Sequence, residues 1–376
     1  MVKHFDLIII GGGLAGLTAA LHLSKINYSV LLIEKQTYPH HKVCGEYVSN
    51  EIIPYLNHLG VFPQNIGAIP INQFQLSTIN GQKTTTALPL GGIGISRYAL
   101  DQLLFEHAKK SGAQFVFDAV SSVGFTNDIF KITTQTDKNY TAKVAIGAYG
   151  KRSNLDKHLN RKFIHEKSFW MGVKAHYNYD NFPDNLVALH NFNGGYGGLS
   201  KTESGAVNFC YLTSYKSFQA YSNINQFNTH IVSQNPHLKD FLENASPLFK
   251  KPLSIAQISF HKKTPVEGHL LMCGDTAGLI HPLCGNGMAM AIHSAKIASE
   301  LIHKYLSGAQ KDRKKLETAY TRQWNATFKQ RLWMGQTLQS LLLAPKLSNY
   351  AMKIARNTPA LLKKLISLTH GKPVTC

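Results

Sequence analysis

Gly11, Gly13 and Gly16, followed by Glu34, are the residues whose types and spacing speak most directly of chemistry. A turn of this kind uses Gly11 for its backbone conformation, Gly13 for close approach of a pyrophosphate and Gly16 for packing of helix on strand. Leu14 and Ala15 complete the turn, so the phosphates are expected at a helix N-terminus, where unpaired N–H groups and the macrodipole favour an anion. Glu34 is placed to accept hydrogen bonds from ribose hydroxyls, with Lys35 following it. An acid there disfavours a 2′-phosphate, so the nucleotide expected is the adenosine part of FAD or NAD rather than NADP. Three elements must hold these residues. Phe5 to Ile10 is an apolar run suited to a parallel strand buried on both faces. A helix of small and aliphatic residues runs to about Lys25, and a second strand, Ser29 to Ile33, delivers Glu34.

A second constellation lies in LLMCGDTAGLIHPLCGNGMAM, residues 270–290. A buried strand leads to Gly274-Asp275, and a loop with Pro282, Gly285, Asn286 and Gly287 opens a helix at Met288. A carboxylate at a strand end suits a polyol. The glycine-rich turn admits a planar ring, and the helix N-terminus stabilises negative charge on it. That combination fits the ribityl chain and the N1–C2 edge of a reduced flavin.

The rest of the chain supplies the frame. Its 376 residues can bury a large core and divide into two or three domains. Asn80-Gly81 joins two short β-like runs, Phe74 to Thr78 and Lys83 to Leu88, as a hairpin. Arg97 to Lys110 reads as a helix, Phe115 to Ser122 as a strand, and Phe130 to Thr136 with Tyr140 to Ala148 as a second hairpin. Alternation at Phe169/Met171/Val173/Ala175 and Val207/Phe209/Tyr211 predicts an antiparallel sheet with one covered face. Ile255 to Phe260 is expected as a strand and Met288 to Tyr305 as a helix.

The five cysteines, Cys44, Cys210, Cys273, Cys284 and Cys376, are scattered without CxxC, and the histidines form no ligand pattern. No disulfide framework and no metal site is therefore expected, and the default compartment is the cytoplasm. The net charge is +19, and residues 311–376 concentrate it, with 13 Lys and Arg against Asp312 and Glu317. Apolar residues recur there at helical spacing, and Pro345 and Pro359 divide the segment into three expected helices. Such helices either pack their apolar stripe on the body or contact an anionic membrane surface peripherally. No nucleic-acid-binding module accompanies the charge, so nucleic acid is not an expected partner.

With these motifs in place the chain resembles the FAD-dependent p-hydroxybenzoate hydroxylase-fold enzymes, particularly the branch of geranylgeranyl reductases and related flavin monooxygenases. The resemblance rests on the glycine turn with Glu34, on Arg97 in ISRYALDQLL and on CGDTAGLIHPLCGNGM, and it spans about residues 3–305. It implies an α/β (α+β) fold: a Rossmann-type FAD-binding domain, an inserted antiparallel substrate-binding sheet and C-terminal helices. The corresponding divisions are 1–70, 96–160 and 262–308 for FAD, 71–95 and 161–261 for substrate, and 309–376 for the helical segment. It also implies that Arg97 contacts the FAD chain, that Gly274 and Asp275 bind its ribityl or pyrophosphate region, and that Pro282 to Met288 line the isoalloxazine. HKVCGE, residues 41–46, would lie beside the flavin, and GGYGGLSK, residues 194–201, would face substrate. Cys44, Glu46 and Tyr196 are then the catalytic candidates, with Lys201, His281 and Cys284 as further groups near the ring.

Two departures qualify the resemblance. The usual GADG is Gly147-Ala148-Tyr149-Gly150 here, which bears on how NAD(P)H is used. Trp170 stands alone where halogenases carry paired tryptophans, so halogenation is not expected. The expected substrate is a hydrophobic small molecule. The leading expectation is NAD(P)H- and O2-dependent hydroxylation or epoxidation, followed by FADH2-dependent reduction of isoprenoid double bonds. A flavin-binding subunit without turnover is the third.

Overall fold

The computed structural model describes residues 2–344 and 358–375. Two sheets organise them. In the first, five parallel strands run in the order Leu270–Met272, Asn139–Gly147, Lys3–Ile10, Val30–Glu34 and Gln114–Phe117. Leu7, Ile8 and Ile9 are fully buried, which is why this strand reads as a continuous apolar run. Each such side chain contributes about 1.5–3 kcal/mol relative to exposure. Helices Leu14–Lys25, Arg97–Lys110 and Gly287–Leu306 pack together on this sheet.

The second sheet has nine strands and is mostly antiparallel. Its centre runs Trp170–Asn178, Val207–Ser214, Gly195–Lys201, Leu186–Phe192, Ile69–Ser77 and Lys83–Gly94. Met171, Val173, Ala175, Val207, Phe209 and Tyr211 all face one core, roofed by Phe227, Leu238 and Phe241 from helices Ile224–His230 and Pro236–Asn244. The opposite face carries Trp170, Lys174, Asn208, Cys210 and Tyr196, as strand alternation requires. This is the α/β architecture expected, with the flavin-type motifs on one sheet and a one-side-covered sheet beside it. The strand Tyr47–Ser49 pairs with Lys83–Gly94 and so belongs to the second sheet.

Two local readings are corrected, and a third is met in part. Phe115 to Ser122 is two strands, Gln114–Phe117 and Val120–Thr126, because Asp118 and Ala119 turn the chain out of the parallel sheet and into a meander with Ile129–Thr134. Phe169 precedes the strand and is 60% exposed rather than part of the covered face. In the basic segment, helices Arg313–Leu343 and Pro359–Thr369 are present, and the middle of the three expected helices lies outside the described residues. Leu316, Tyr320, Trp324 and Phe328 put the apolar stripe of the long helix into the main core, and Tyr320 donates to the Met272 carbonyl at 2.5 Å. No helix among the described residues is long and apolar enough to cross a membrane.

Candidate active site and cofactor cradle

The glycine turn is built as its spacing requires. Gly11 has φ +103°, and a Cβ there would lie 2.5 Å from the Ala148 carbonyl oxygen. A Cβ on Gly16 would lie 2.0 Å from the Gly11 oxygen, so helix and turn touch only through hydrogen. Gly13 differs: its open side meets nothing nearer than Arg97 Nη2 at 3.6 Å. Glu34 accepts from the Gly12 amide at 2.7 Å, which puts its carboxylate at the turn itself. Leu14 and Ala15 are buried behind the turn, and Lys35 is exposed beyond Glu34.

Arg97 begins its helix because Ser96 caps it, accepting from the Ala99 amide at 3.0 Å. Asp101, one turn on, grips the guanidinium in a two-pronged ion pair at 2.7 and 2.8 Å and also holds Lys42 at 3.0 Å. Burial alone would raise the Asp101 carboxyl, but Arg97 and Lys42 outweigh it and hold the acid below its usual range. The cationic end of Arg97 is thereby fixed beside Gly13. Two acids neutralise the helix start: Glu46 accepts from the Arg97 amide at 2.7 Å, and Glu203 accepts from the Ser96 amide at 2.6 Å.

Glu46 is fully buried with φ +55° and is committed twice more. Lys174 Nζ donates to Oε1 at 2.5 Å, and His176 Nε2 donates to Oε2 at 2.6 Å. Its charge and both oxygens are thus engaged, so Glu46 anchors the 41–46 loop to the sheet and is a positioning residue rather than an exposed acid. His41, Glu46 and His176 lie within 4.8 Å of one another, a cluster that no sequence spacing announced. The Lys174 ammonium already neutralises the carboxylate that a metal ion would need.

The second motif meets the first at Gly274, whose φ is +61° and where an added Cβ would crowd Ala15 Cβ at 3.2 Å. Asp275 is half-buried in a short 3-10 turn, and its carbonyl accepts from buried Lys263 at 2.8 Å. Burial lowers the Lys263 ammonium to about 8, against the pull of Asp275 and Asp156. Tyr149 donates its hydroxyl to Asp156 at 3.2 Å. Further along, Pro282 and Gly285 turn the loop, Gly285 with φ +63° against the Tyr47 ring, and Met288 is buried in the new helix. Asn286 bonds to Glu51 at 3.3 Å, and Arg331 of the long helix pairs with the same carboxylate at 2.9 Å. Asn286 therefore braces the loop through its side chain.

Tyr196 reaches across from the second sheet, and its hydroxyl accepts from the Leu283 amide at 3.1 Å. Burial holds its phenol well above the usual range, so it stays neutral. Around it, Leu76, Leu189, Leu212, Ile258 and Leu279 form an apolar cluster that joins the sheet face to the loop. Cys44 is partly exposed, and its carbonyl accepts from Asn208 at 3.2 Å. Cys284 is buried, and burial pushes its thiol up to about 12, which favours the protonated form. Lys201 pairs with Asp184 at 2.6 Å. Lys174, His176, Glu203, Lys263, Glu51 and Arg331 carry no motif and were missed in the sequence.

The residues present fit FAD. Helices Leu14–Lys25 and Gly287–Leu306 both start without a side-chain cap, leaving first-turn N–H groups for an anion and for an electron-rich ring edge. Gly13 leaves open backbone beside the Arg97 guanidinium.

A family model described as FAD binding domain matches residues 4–330. A menaquinone reductase of Mycobacterium tuberculosis is 21% identical over 79% of this chain and 76% of its own length. A digeranylgeranylglycerophospholipid reductase of Methanocaldococcus jannaschii is 28% identical over 80% of this chain and 77% of its own. Among solved structures, the flavin-dependent brominase Bmp2 superposes with a TM-score of 0.79 over 98% of this chain and 93% of that one, at 19% identity. That likeness concerns the fold.

Proposed function

This chain belongs to the FAD-binding family that matches residues 4–330 and is an FAD-binding oxidoreductase, and on that premise we propose that it reduces carbon–carbon double bonds in an apolar, isoprenoid-type substrate. The observation that carries this reading is the apolar cluster between Tyr196, Leu212 and Ile258 of the sheet and Leu279 of the cofactor loop. Two relatives, named as reductases of a quinone and of a prenylated lipid, support it. Oxygen insertion, which leads on the sequence alone, becomes the competing outcome.

Gly13 and Arg97 would hold the pyrophosphate, Glu34 the adenosine ribose, Gly274 and Asp275 the ribityl region, and Pro282 to Met288 the ring. Bound and reduced, with NAD(P)H as the proposed electron source, FAD supplies the electron pair. The protein's part is position and the exclusion of water. Tyr196 holds the Leu283 backbone, Glu46 fixes the segment that carries Cys44, and the leucines keep the substrate side dry. The Cys44 thiol is the proposed proton source to carbon. The basic face of the long helix, where Trp333 is 59% exposed, is proposed to rest on anionic lipid, with binding to anionic vesicles that salt reverses.

Turnover of a polyprenyl alcohol with NAD(P)H under isotopically labelled O2, followed by mass spectrometry, tests the reaction. The account expects product with added hydrogen and no label. Labelled oxygen in the product would overturn it in favour of a monooxygenase.

A further inference from the structure

Three residues far apart in the chain share one buried carboxylate. Glu51 is fully buried in the short turn that follows the Tyr47–Ser49 strand. Its Oε1 accepts from Arg331 at 2.9 Å, and its Oε2 accepts from Asn286 Nδ2 at 3.3 Å and from the Gly371 amide. Arg331 also donates to Asn286 Oδ1 at 3.4 Å. Beyond Gly371 the chain returns the Val374 amide to the Glu51 carbonyl at 2.7 Å and buries the Val374 side chain in the main core. A Cβ on Gly371 would lie 2.8 Å from Arg331 Cζ and 2.9 Å from Glu51 Oε2, so the strap reaches the ion pair only through glycine. Arg331 and the strap both lie outside residues 4–330, the part matched by the family model.

Asn286 is the residue this clamp controls. It holds the N-cap position of helix Gly287–Leu306, where asparagine is among the most favoured residues because its side-chain oxygen accepts from first-turn amides. Here it makes no such bond. Its Oδ1 and Nδ2 are turned to Arg331 and Glu51 instead, and its backbone, at φ −110° and ψ 0°, is outside the extended conformation of a capping residue. The first-turn amides and the positive end of the helix dipole are thereby left to the ring edge. A released Asn286 side chain would compete for those amides.

We infer that Glu51, Arg331 and the Gly371–Val374 strap are positioning residues that hold Asn286 off its own helix, so that the helix N-terminus stays open to the electron-rich edge of reduced flavin. The inference rests on the reading that Pro282 to Met288 line the ring, and no step of the proposed reaction enters it.

Two-electron midpoint potentials of the FAD-loaded protein, read by equilibration with a reference dye, test it. Gly371→Ala crowds the Arg331 guanidinium and is expected to lower the potential by about 30 mV, a tenfold shift against the reduced flavin. Arg331→Lys, which keeps the charge without the planar fork, is expected to lower it as well. In an Asn286→Ala background, where no side chain competes for the amides, Gly371→Ala adds no further shift. Arg313→Ala removes the contacts of the same long helix with Asp128 and the Lys143 carbonyl, and is expected to lower the melting point with the potential unchanged. An unchanged potential in Gly371→Ala or in Arg331→Lys overturns the inference. So does a shift that persists in the Asn286→Ala background or that Arg313→Ala reproduces. Shifted potentials in a protein that fails to reduce double bonds uphold the clamp and overturn the proposed reaction. Double-bond reduction with unshifted potentials does the reverse.

Discussion

Glu46 Oε1 and Lys174 Nζ lie 2.5 Å apart with both side chains fully buried, joining the 41–46 loop to the sheet that faces it. Removing one partner leaves the other charge uncompensated, which costs about 3–5 kcal/mol. Glu46→Gln is therefore expected to lower the thermal midpoint markedly and to loosen FAD. The double variant Glu46→Gln/Lys174→Met should regain much of that loss. Thermal melts of the wild type, Glu46→Gln, Lys174→Met and the double variant check this, and losses that simply add in the double variant would contradict it.

The same carboxylate predicts a pH dependence. Burial raises the Glu46 carboxyl, but the hydrogen bonds and charges of His176 and Lys174 outweigh it and leave it below its ordinary value. A depressed carboxyl contributes stability above its unfolded value of about 4.3 and loses it as pH falls through the folded one. Denaturant titrations from neutral pH downward should thus show wild type and Glu46→Gln converging in acid. A gap that stays constant through that range would refute the assignment.

The three turn glycines should fail in different ways. A Cβ on Gly11 or Gly16 collides with backbone, so Gly11→Ala and Gly16→Ala destabilise the apoprotein itself. Gly13 has room for a methyl group, so Gly13→Ala keeps the apoprotein's melting point while weakening FAD binding tenfold or more, an estimate of about 1.4 kcal/mol or above. Apoprotein melts beside flavin-fluorescence titrations separate the cases.

What could be read from the sequence follows from how local each signal is. The Lys3–Ile10 strand, the glycine turn and Glu34 lie within 35 residues and repeat a pattern that buried parallel strands impose. Alternation likewise gave the covered face of Met171, Val173 and Phe209. Glu46 with Lys174, and Glu51 with Arg331, join residues 128 and 280 positions apart, and neither periodicity nor spacing encodes such a pairing. Glu46 and Tyr196 were therefore picked out without their partners, and the structure shows both as braces. Phe169 misled because its apolar character continues an alternation that the strand itself does not.

Cys44 and Cys284 should separate cleanly. Cys284 is buried with its thiol held protonated, so Cys284→Ser leaves the chemical step almost unchanged. Cys44→Ser keeps FAD content and lowers kcat by about 10²-fold or more, the usual scale for a lost general acid. Single-turnover rates at saturating substrate check this, and equal rates for Cys44→Ser and the wild type would remove Cys44 from the chemistry.

The most direct measurement follows the flavin spectrum of the reduced, FAD-loaded protein under argon as a polyprenyl alcohol is added. The account predicts reoxidation of the flavin without oxygen, with one double bond saturated for each flavin reoxidised. A flavin that stays reduced until oxygen is admitted, and then yields oxygenated product, would contradict it.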